Sequence, residues 1–242
     1  MLGNTATLAT NLAAVQARIQ AAERAAGRAP VSVSLLAVSK TQPAAALRAA
    51  FELGQRDFGE NYLQEALAKQ QALEDLAIRW HFIGPIQTNK TKTVAERFDW
   101  VHSIDRLKIA ERLDSQRPGH LPPLDCCLQV NVSGEASKSG LSPTDLPALA
   151  AAVARLPRLR LRGLMAIPAP EPDPIRQRAP LRTLRELLES LRAAGHRQLD
   201  TLSMGMSDDL EAAVAEGSTL VRIGTAIFGP RPRATTDSKE ET

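Results

Sequence analysis

Apolar positions recur at helical spacing across residues 4–26, at Leu8, Leu12, Val15, Ile19 and Ala22, and Gly27 stops the segment. One buried stripe of this kind predicts an amphipathic helix. Beyond Gly27 the rhythm changes. Short apolar runs bounded by turn residues alternate with longer stretches of helical character, which predicts strands and helices in turn. The strands are expected at 33–39, 56–58, 80–83, 100–102, 124–132, 159–165, 199–202 and 219–223. The helices are expected at 43–53, 61–76, 88–97, 105–115, 143–155, 176–194 and 207–216. Repeated strand–helix alternation calls for a parallel sheet with helical crossovers. Eight strands so arranged in about 250 residues predict an α/β fold of the (β/α)8 TIM-barrel type, with an extra N-terminal helix. An open, doubly wound sheet is the alternative, but no Gly-x-Gly-x-x-Gly turn follows an early strand. No linker divides the chain, so one domain is expected over 1–230, with a polar, disordered tail at 231–242.

Composition narrows the function classes. The net charge of +3 is spread along the chain, and the five Phe, two Trp and one Tyr form no stacking stripe. Nucleic acid is therefore not expected as a partner. Cys126 and Cys127 are adjacent, so a bridge between them would be strained, and no metal-ligand spacing is present. No apolar run reaches membrane length, and the N-terminus lacks the basic segment and solid apolar core of a secretory signal. The expected location is the cytoplasm.

In a barrel the chemistry sits on the loops that follow the strands. Lys40 follows strand one, at the turn signal Thr41-Gln42-Pro43, and Asn61 follows strand two. Strand three leads into Gly84-Pro85-Ile86-Gln87-Thr88-Asn89, and strand five into Asn131 and Lys138. Strand seven leads into Ser203-Met204-Gly205-Met206-Ser207, and strand eight into Gly224-Thr225-Ala226. Hydroxyl and glycine residues in the last two loops let backbone N–H groups approach an anion, and Ser207 is expected to cap the next helix. An amine attacks an aldehyde only when neutral, and partial burial at a strand end favours the neutral form of Lys40. An amine on strand one and an anion cup on strands seven and eight suggest one ligand with an aldehyde and a phosphate, as pyridoxal 5′-phosphate has.

Arg222 lies among apolar neighbours inside strand eight. It is read either as half of a structural ion pair or as a partner for the cofactor's pyridine nitrogen. His81 and His102 are expected as lone core or rim histidines. Asp208, Asp209 and Glu211 are expected as charges suited to a helix N-terminus, and Met165, Met204 and Met206 as packing.

Six segments carry a family resemblance: Ala37-Val38-Ser39-Lys40-Thr41, Phe58-Gly59-Glu60-Asn61-Tyr62, Trp80 to Gln87, Leu161 to Met165, Leu202 to Asp209, and Val221 to Gly229. Together they resemble the pyridoxal phosphate homeostasis proteins over residues 8–231. The resemblance implies a barrel akin to the N-terminal domain of alanine racemase. It implies that Lys40 holds pyridoxal phosphate as a Schiff base, that Ser203, Ser207, Gly224 and Thr225 hold the phosphate, that Arg222 faces the pyridine nitrogen and that Asn61 lies near the ring. Lys138 matches a family lysine near the site. Gln42 departs from relatives that carry a second lysine there. A monomeric carrier that buffers the free cofactor or delivers it to apo-enzymes is implied, rather than a catalyst. The racemases' second domain and its tyrosine have no counterpart in this sequence, whose only tyrosine is Tyr62. A racemase, a sugar-phosphate aldolase using Lys40 and a ligand-free regulatory module are the competing readings.

Overall fold

The computed structural model describes residues 2–133 and 139–230, with side chains from residue 5 onward. Lys138 and the expected tail at 231–242 lie outside the described residues. The strands are β1 (Ser34–Val38), β2 (Asp57–Glu60), β3 (Arg79–Phe82), β4 (Trp100–Ile104), β5 (Leu124–Gln129), β6 (Leu159–Met165), β7 (Thr201–Ser203) and β8 (Leu220–Ile223). They pair in sequence order, all parallel, into a closed barrel. Closure is made by β1 on β8, with Ser34 opposite Leu220 and Ala37 opposite Ile223.

The helices are α1 (Leu2–Ala25), α2 (Ala44–Glu52), α3 (Leu63–Ala72), α4 (Thr91–Arg97), α5 (Leu107–Gln116), α6 (Leu146–Val153), α7 (Pro174–Ala193), α8 (Leu210–Ala215) and α9 (Thr225–Phe228). The stripe on α1 is the buried one: Leu8, Leu12, Val15, Ile19 and Ala22 are all in the core. α1 packs against α8, α9 and α2, so the extra helix covers the seam where the barrel closes.

Strand alternation divides the buried residues into two sets. The large set lies between strands and helices and includes Phe58, Leu47, Phe98, Ile109, Leu128 and Leu164. The small set, Leu36, Ile83 and Leu220 with Val38, fills part of the barrel interior. Much of the remaining interior is polar, which is where the site takes shape.

Several boundaries differ from the sequence reading. β7 covers Thr201–Ser203 rather than 199–202, because buried Leu199 belongs to the approach and not to the ladder. β5 ends at Gln129, and Val130 makes only an isolated bridge to Leu141. α9 was not expected; a four-residue helix shows no period. Cys126 and Cys127 are both free and fully buried, and burial pushes both thiols up.

Candidate functional site

The C-terminal ends of the strands form one mouth of the barrel, and Lys40 lies two residues beyond β1. Leu36 and Val38 point inside, and the same alternation continued past Val38 would put half-buried Lys40 on that side. In the β1–β8 register Leu36 lies opposite Arg222, which brings Gly224 level with Val38. A Cβ on Gly224 would stand 3.0 Å from the Val38 carbonyl oxygen, so the loop after β8 runs against the end of β1. Lys40 and Gly224-Thr225 thus share one rim on adjacent strands.

Asn61 follows β2 and crosses Gly84 so closely that a Cβ there would meet the Asn61 carbonyl oxygen at 2.2 Å. Only glycine admits that crossing. The Asn61 carboxamide oxygen is buried and has no hydrogen-bond partner among the described residues. Buried polar atoms are rarely left so, and one at a rim is suited to meeting a ligand.

The loop after β7 turns at Gly205, whose φ of +98° puts it in glycine territory. Ser207 is not the cap expected of it. α8 starts only at Leu210, and the Asp209 carboxylate accepts the Met206 N–H at 2.6 Å. The Asp209 side chain thus bonds the loop's own backbone ahead of the helix, which delays its start. Ser207 instead offers its carbonyl to Arg18 of α1 at 3.0 Å. Glu211, expected to serve the helix N-terminus, forms a forked pair with the same arginine.

Arg222 is buried inside the barrel, and among the described residues it has no carboxylate in direct contact. Its Nη1 donates to the Ser203 carbonyl at 2.5 Å and hydroxyl at 2.9 Å, and its Nη2 donates to the Ala166 carbonyl at 2.8 Å. Burial lowers its pKa to about 10, with Asp209 opposing, so it stays charged at neutral pH. Ser203 is fully buried, and its hydroxyl is spent on this contact and on His102 Nδ1, 2.8 Å away.

The two histidines are not lone. His102 Nε2 lies 2.9 Å from His81 Nδ1, and His81 Nε2 lies 3.1 Å from the Asp57 carboxylate. Burial alone would raise the Asp57 carboxyl, but hydrogen bonds from His81 and Arg79 hold it below its ordinary value. Asp57 is therefore an acceptor, and each link then has one direction: His81 Nε2–H to Asp57, His102 Nε2–H to His81, the Ser203 hydroxyl to His102, and Arg222 to Ser203. Every donor in this chain points toward Asp57, at the opposite mouth. Burial, reinforced by His81 and Arg222, holds His102 well below the ordinary histidine pKa, which keeps it neutral as the chain requires.

A cavity of about 620 Å³ opens at that opposite mouth, lined by Asp57, Arg79, Trp100, Asp125 and Arg162 among others. Six of its charges pair with one another: Arg79 with Asp57 at 2.6 Å, Arg162 with Asp200 at 2.6 Å, and Arg160 with Asp125. The strand beginnings that line it are where barrels keep structural rather than reactive groups. Among the described residues no cluster of His, Cys, Asp and Glu could hold a metal ion, and no helix is long and apolar enough to cross a membrane.

One group at the C-terminal mouth escaped the sequence reading. Lys69 of α3 is almost fully buried, and it reaches Glu60, Glu65 and the Ser39 carbonyl just behind Lys40.

The family model described as "Alanine racemase, N-terminal domain" matches residues 10–232. The pyridoxal phosphate homeostasis protein of Pseudomonas aeruginosa is 67% identical over 225 residues, covering 93% of this chain and 96% of the relative. The protein of that name from Escherichia coli is 56% identical over 227 residues, covering 93% and 97%. Among solved structures, PipY of Synechococcus elongatus with pyridoxal phosphate bound superposes with a TM-score of 0.81 at 39% identity, covering 92% of this chain and all of that one. Alanine racemase from Corynebacterium glutamicum shares the fold, with a TM-score of 0.70 at 17% identity over 96% of this chain and 63% of the racemase. By sequence and by barrel, this chain belongs to the pyridoxal phosphate homeostasis protein family.

Proposed function

We propose that this protein takes part in pyridoxal 5′-phosphate homeostasis, holding the molecule reversibly through Lys40 and buffering it or delivering it, as a monomer, to apo-enzymes that need it. The observation that carries this reading is the shared rim: Lys40 follows β1 by two residues, and the close approach of Gly224 to Val38 brings the loop after β8 against that end of β1. The family's name and the pyridoxal phosphate bound to PipY supply the ligand.

The residues present fit that ligand. The orphaned Asn61 oxygen is a ready acceptor at the rim. Thr225 is exposed at the first position of α9, and Gly205 and Gly224 bring backbone close to the mouth. Ser207 lies half-buried on the loop beside them. Ser203 contributes differently: with its hydroxyl engaged, it offers the site a fixed Arg222 rather than a free oxygen.

When bound, pyridoxal phosphate supplies an aldehyde for covalent capture and a ring able to accept electrons. Lys40 contributes the amine, half-buried just past the end of β1. Arg222 presents a cation that does not surrender its proton, so it can donate a hydrogen bond to a ring nitrogen without protonating it. A ring held that way is a weak electron sink, which favours carriage over catalysis. The side chain available as a tyrosine acid is Tyr62 alone, and it is exposed.

The test is spectroscopic. The purified protein should be yellow, lose its colour on borohydride reduction, and carry the reduced adduct on Lys40 in peptide maps. Lys40→Ala should be colourless. An adduct that persists on another residue in Lys40→Ala removes the assignment.

A further inference from the structure

A buried lysine is rare unless its charge is met on every side. Lys69 meets that condition fully. Its ammonium has three donors, and they reach the Ser39 carbonyl at 2.6 Å, Glu60 Oε1 at 2.7 Å and Glu65 Oε1 at 2.6 Å. Lys69 and Glu65 lie one turn apart on α3, whereas Glu60 ends β2 and is completely buried.

What this cluster holds is the turn that bears Lys40. Ser39 sits level with Glu60 in the β1–β2 register, and its hydroxyl donates to Glu60 Oε1 at 2.6 Å. The Ser39 N–H is tied to the Gly59 carbonyl at 3.0 Å, and the Ser39 carbonyl takes both Lys69 and the Gln42 N–H. On the other side of Lys40, the Thr41 N–H donates to Glu65 Oε1 at 2.5 Å. Thr41 has φ +65°, a left-handed conformation that a β-branched residue adopts only when its surroundings impose it. The groups before and after Lys40 are therefore fastened to the same ammonium, one directly and one through Glu65.

We propose that Lys69, with Glu60 and Glu65, positions Lys40: the cluster fixes the turn from outside the barrel wall so that the amine projects into the mouth. This rests on the reading of Lys40 as the residue that captures pyridoxal phosphate. Two features distinguish the cluster from an ordinary structural ion pair. Buried ion pairs are poor stabilisers compared with apolar packing, so stability alone does not account for one here. The contacts also converge on the backbone of one turn rather than simply joining α3 to β2. The second Glu60 oxygen has no partner among the described residues, and burial pushes that carboxyl up against the pull of Lys69, so the arrangement is costly for packing alone.

The experiment separates the two ends of the ligand. Pyridoxal phosphate is added to the full chain, the reaction is quenched with borohydride over a time course, and the adduct at Lys40 is counted by peptide mapping. Displacement by inorganic phosphate reports the phosphate end independently. Lys69→Met should slow capture at Lys40 by about a hundredfold, the scale of a misplaced reacting group, while phosphate affinity is unchanged. Lys69→Arg should recover part of the rate. Glu65→Ala, which frees Thr41 at a half-exposed position, should slow capture by about tenfold and tests the idea even if Lys69→Met does not fold. Wild-type capture rates in both Lys69→Met and Glu65→Ala overturn the proposal, as does an equal loss of capture and phosphate binding. A wild-type protein that captures nothing at Lys40 is a different result: it removes the carrier reading itself, and this inference with it.

Discussion

His81 and His102 meet ring nitrogen to ring nitrogen at 2.9 Å inside the barrel, with Asp57 beyond one and Ser203 beyond the other. This contact needs one proton between the two nitrogens, so the two rings cannot both be charged. His102 is the ring that burial keeps from protonating. Unfolded, it would take up a proton as pH falls below about 6.5. The native state does not, so the unfolded state binds more protons and stability falls with pH in that window. The slope is about 1.4 kcal/mol per pH unit for one proton. Denaturant midpoints measured from about pH 7 to about pH 5 should therefore decline more steeply in the wild type than in His102→Gln, which has no such proton to gain. Glu60 titrates in the opposite sense in both proteins and drops out of the difference. Parallel curves would show that His102 is not held neutral.

Ser203 joins the histidines to Arg222, accepting from one side and donating to the other. Ser203→Ala leaves His102 Nδ1 without its donor and Arg222 with one acceptor fewer, in a dry interior. A loss of about 1–3 kcal/mol in unfolding free energy is expected. Unchanged stability in urea would contradict the chain of donors.

Gly205 and Gly195 form a natural comparison. Both have positive φ, at +98° and +111°. A Cβ on Gly205 would meet the Ala213 Cβ at 2.5 Å, whereas one on Gly195 would meet nothing within 4 Å. Gly195→Ala should cost only the backbone penalty, about 1–2 kcal/mol. Gly205→Ala should cost about 1–3 kcal/mol more, and should also weaken phosphate competition because its loop must shift. Equal melting temperatures for the two variants would refute the contact.

Arg18 on α1 pairs with Glu211 and holds the Ser207 carbonyl. Both side chains of the pair are more than a third exposed, so Arg18→Ala should change stability by no more than about 1 kcal/mol. Phosphate affinity should fall by about two- to fivefold as the Ser207 loop loosens. An unaltered displacement curve would show that the loop is held without α1.

The barrel was legible in the sequence because strand and helix periods alternate cleanly, and because turn residues such as Gly54, Gly84 and Gly195 mark the changes. The rim was legible because Lys40, Asn61, Ser203 and Gly224 each follow or end a strand. The interior chain was not. His81 and His102 are 21 residues apart, and His102 and Ser203 are 101 apart, so no local pattern links them. Only their parity, each facing inward on its own strand, could have placed them together. Lys69 was missed for a related reason. On a helix wheel it reads as a solvated lysine, and its burial follows from the β1–β2 register that sets Ser39 beside Glu60. The Ser207 cap was misjudged because Ser207, Asp208 and Asp209 are all plausible helix starters, and local hydrogen bonding chose the last.

The docking of α1 has a consequence for how the molecule is made. Its apolar stripe is covered by α8 and α9, and its Asn11 carboxamide reaches the Ile227 carbonyl at 3.0 Å, some two hundred residues later in synthesis. On the ribosome, Leu8, Leu12, Val15 and Ile19 therefore wait uncovered until nearly the whole chain has emerged, and β1 likewise has no β8 to close against. On the proposed reading of Lys40, vitamin capture waits for the finished barrel: the amine is translated early, but the walls of its pocket arrive last, and the first helix seals the circle only when they do.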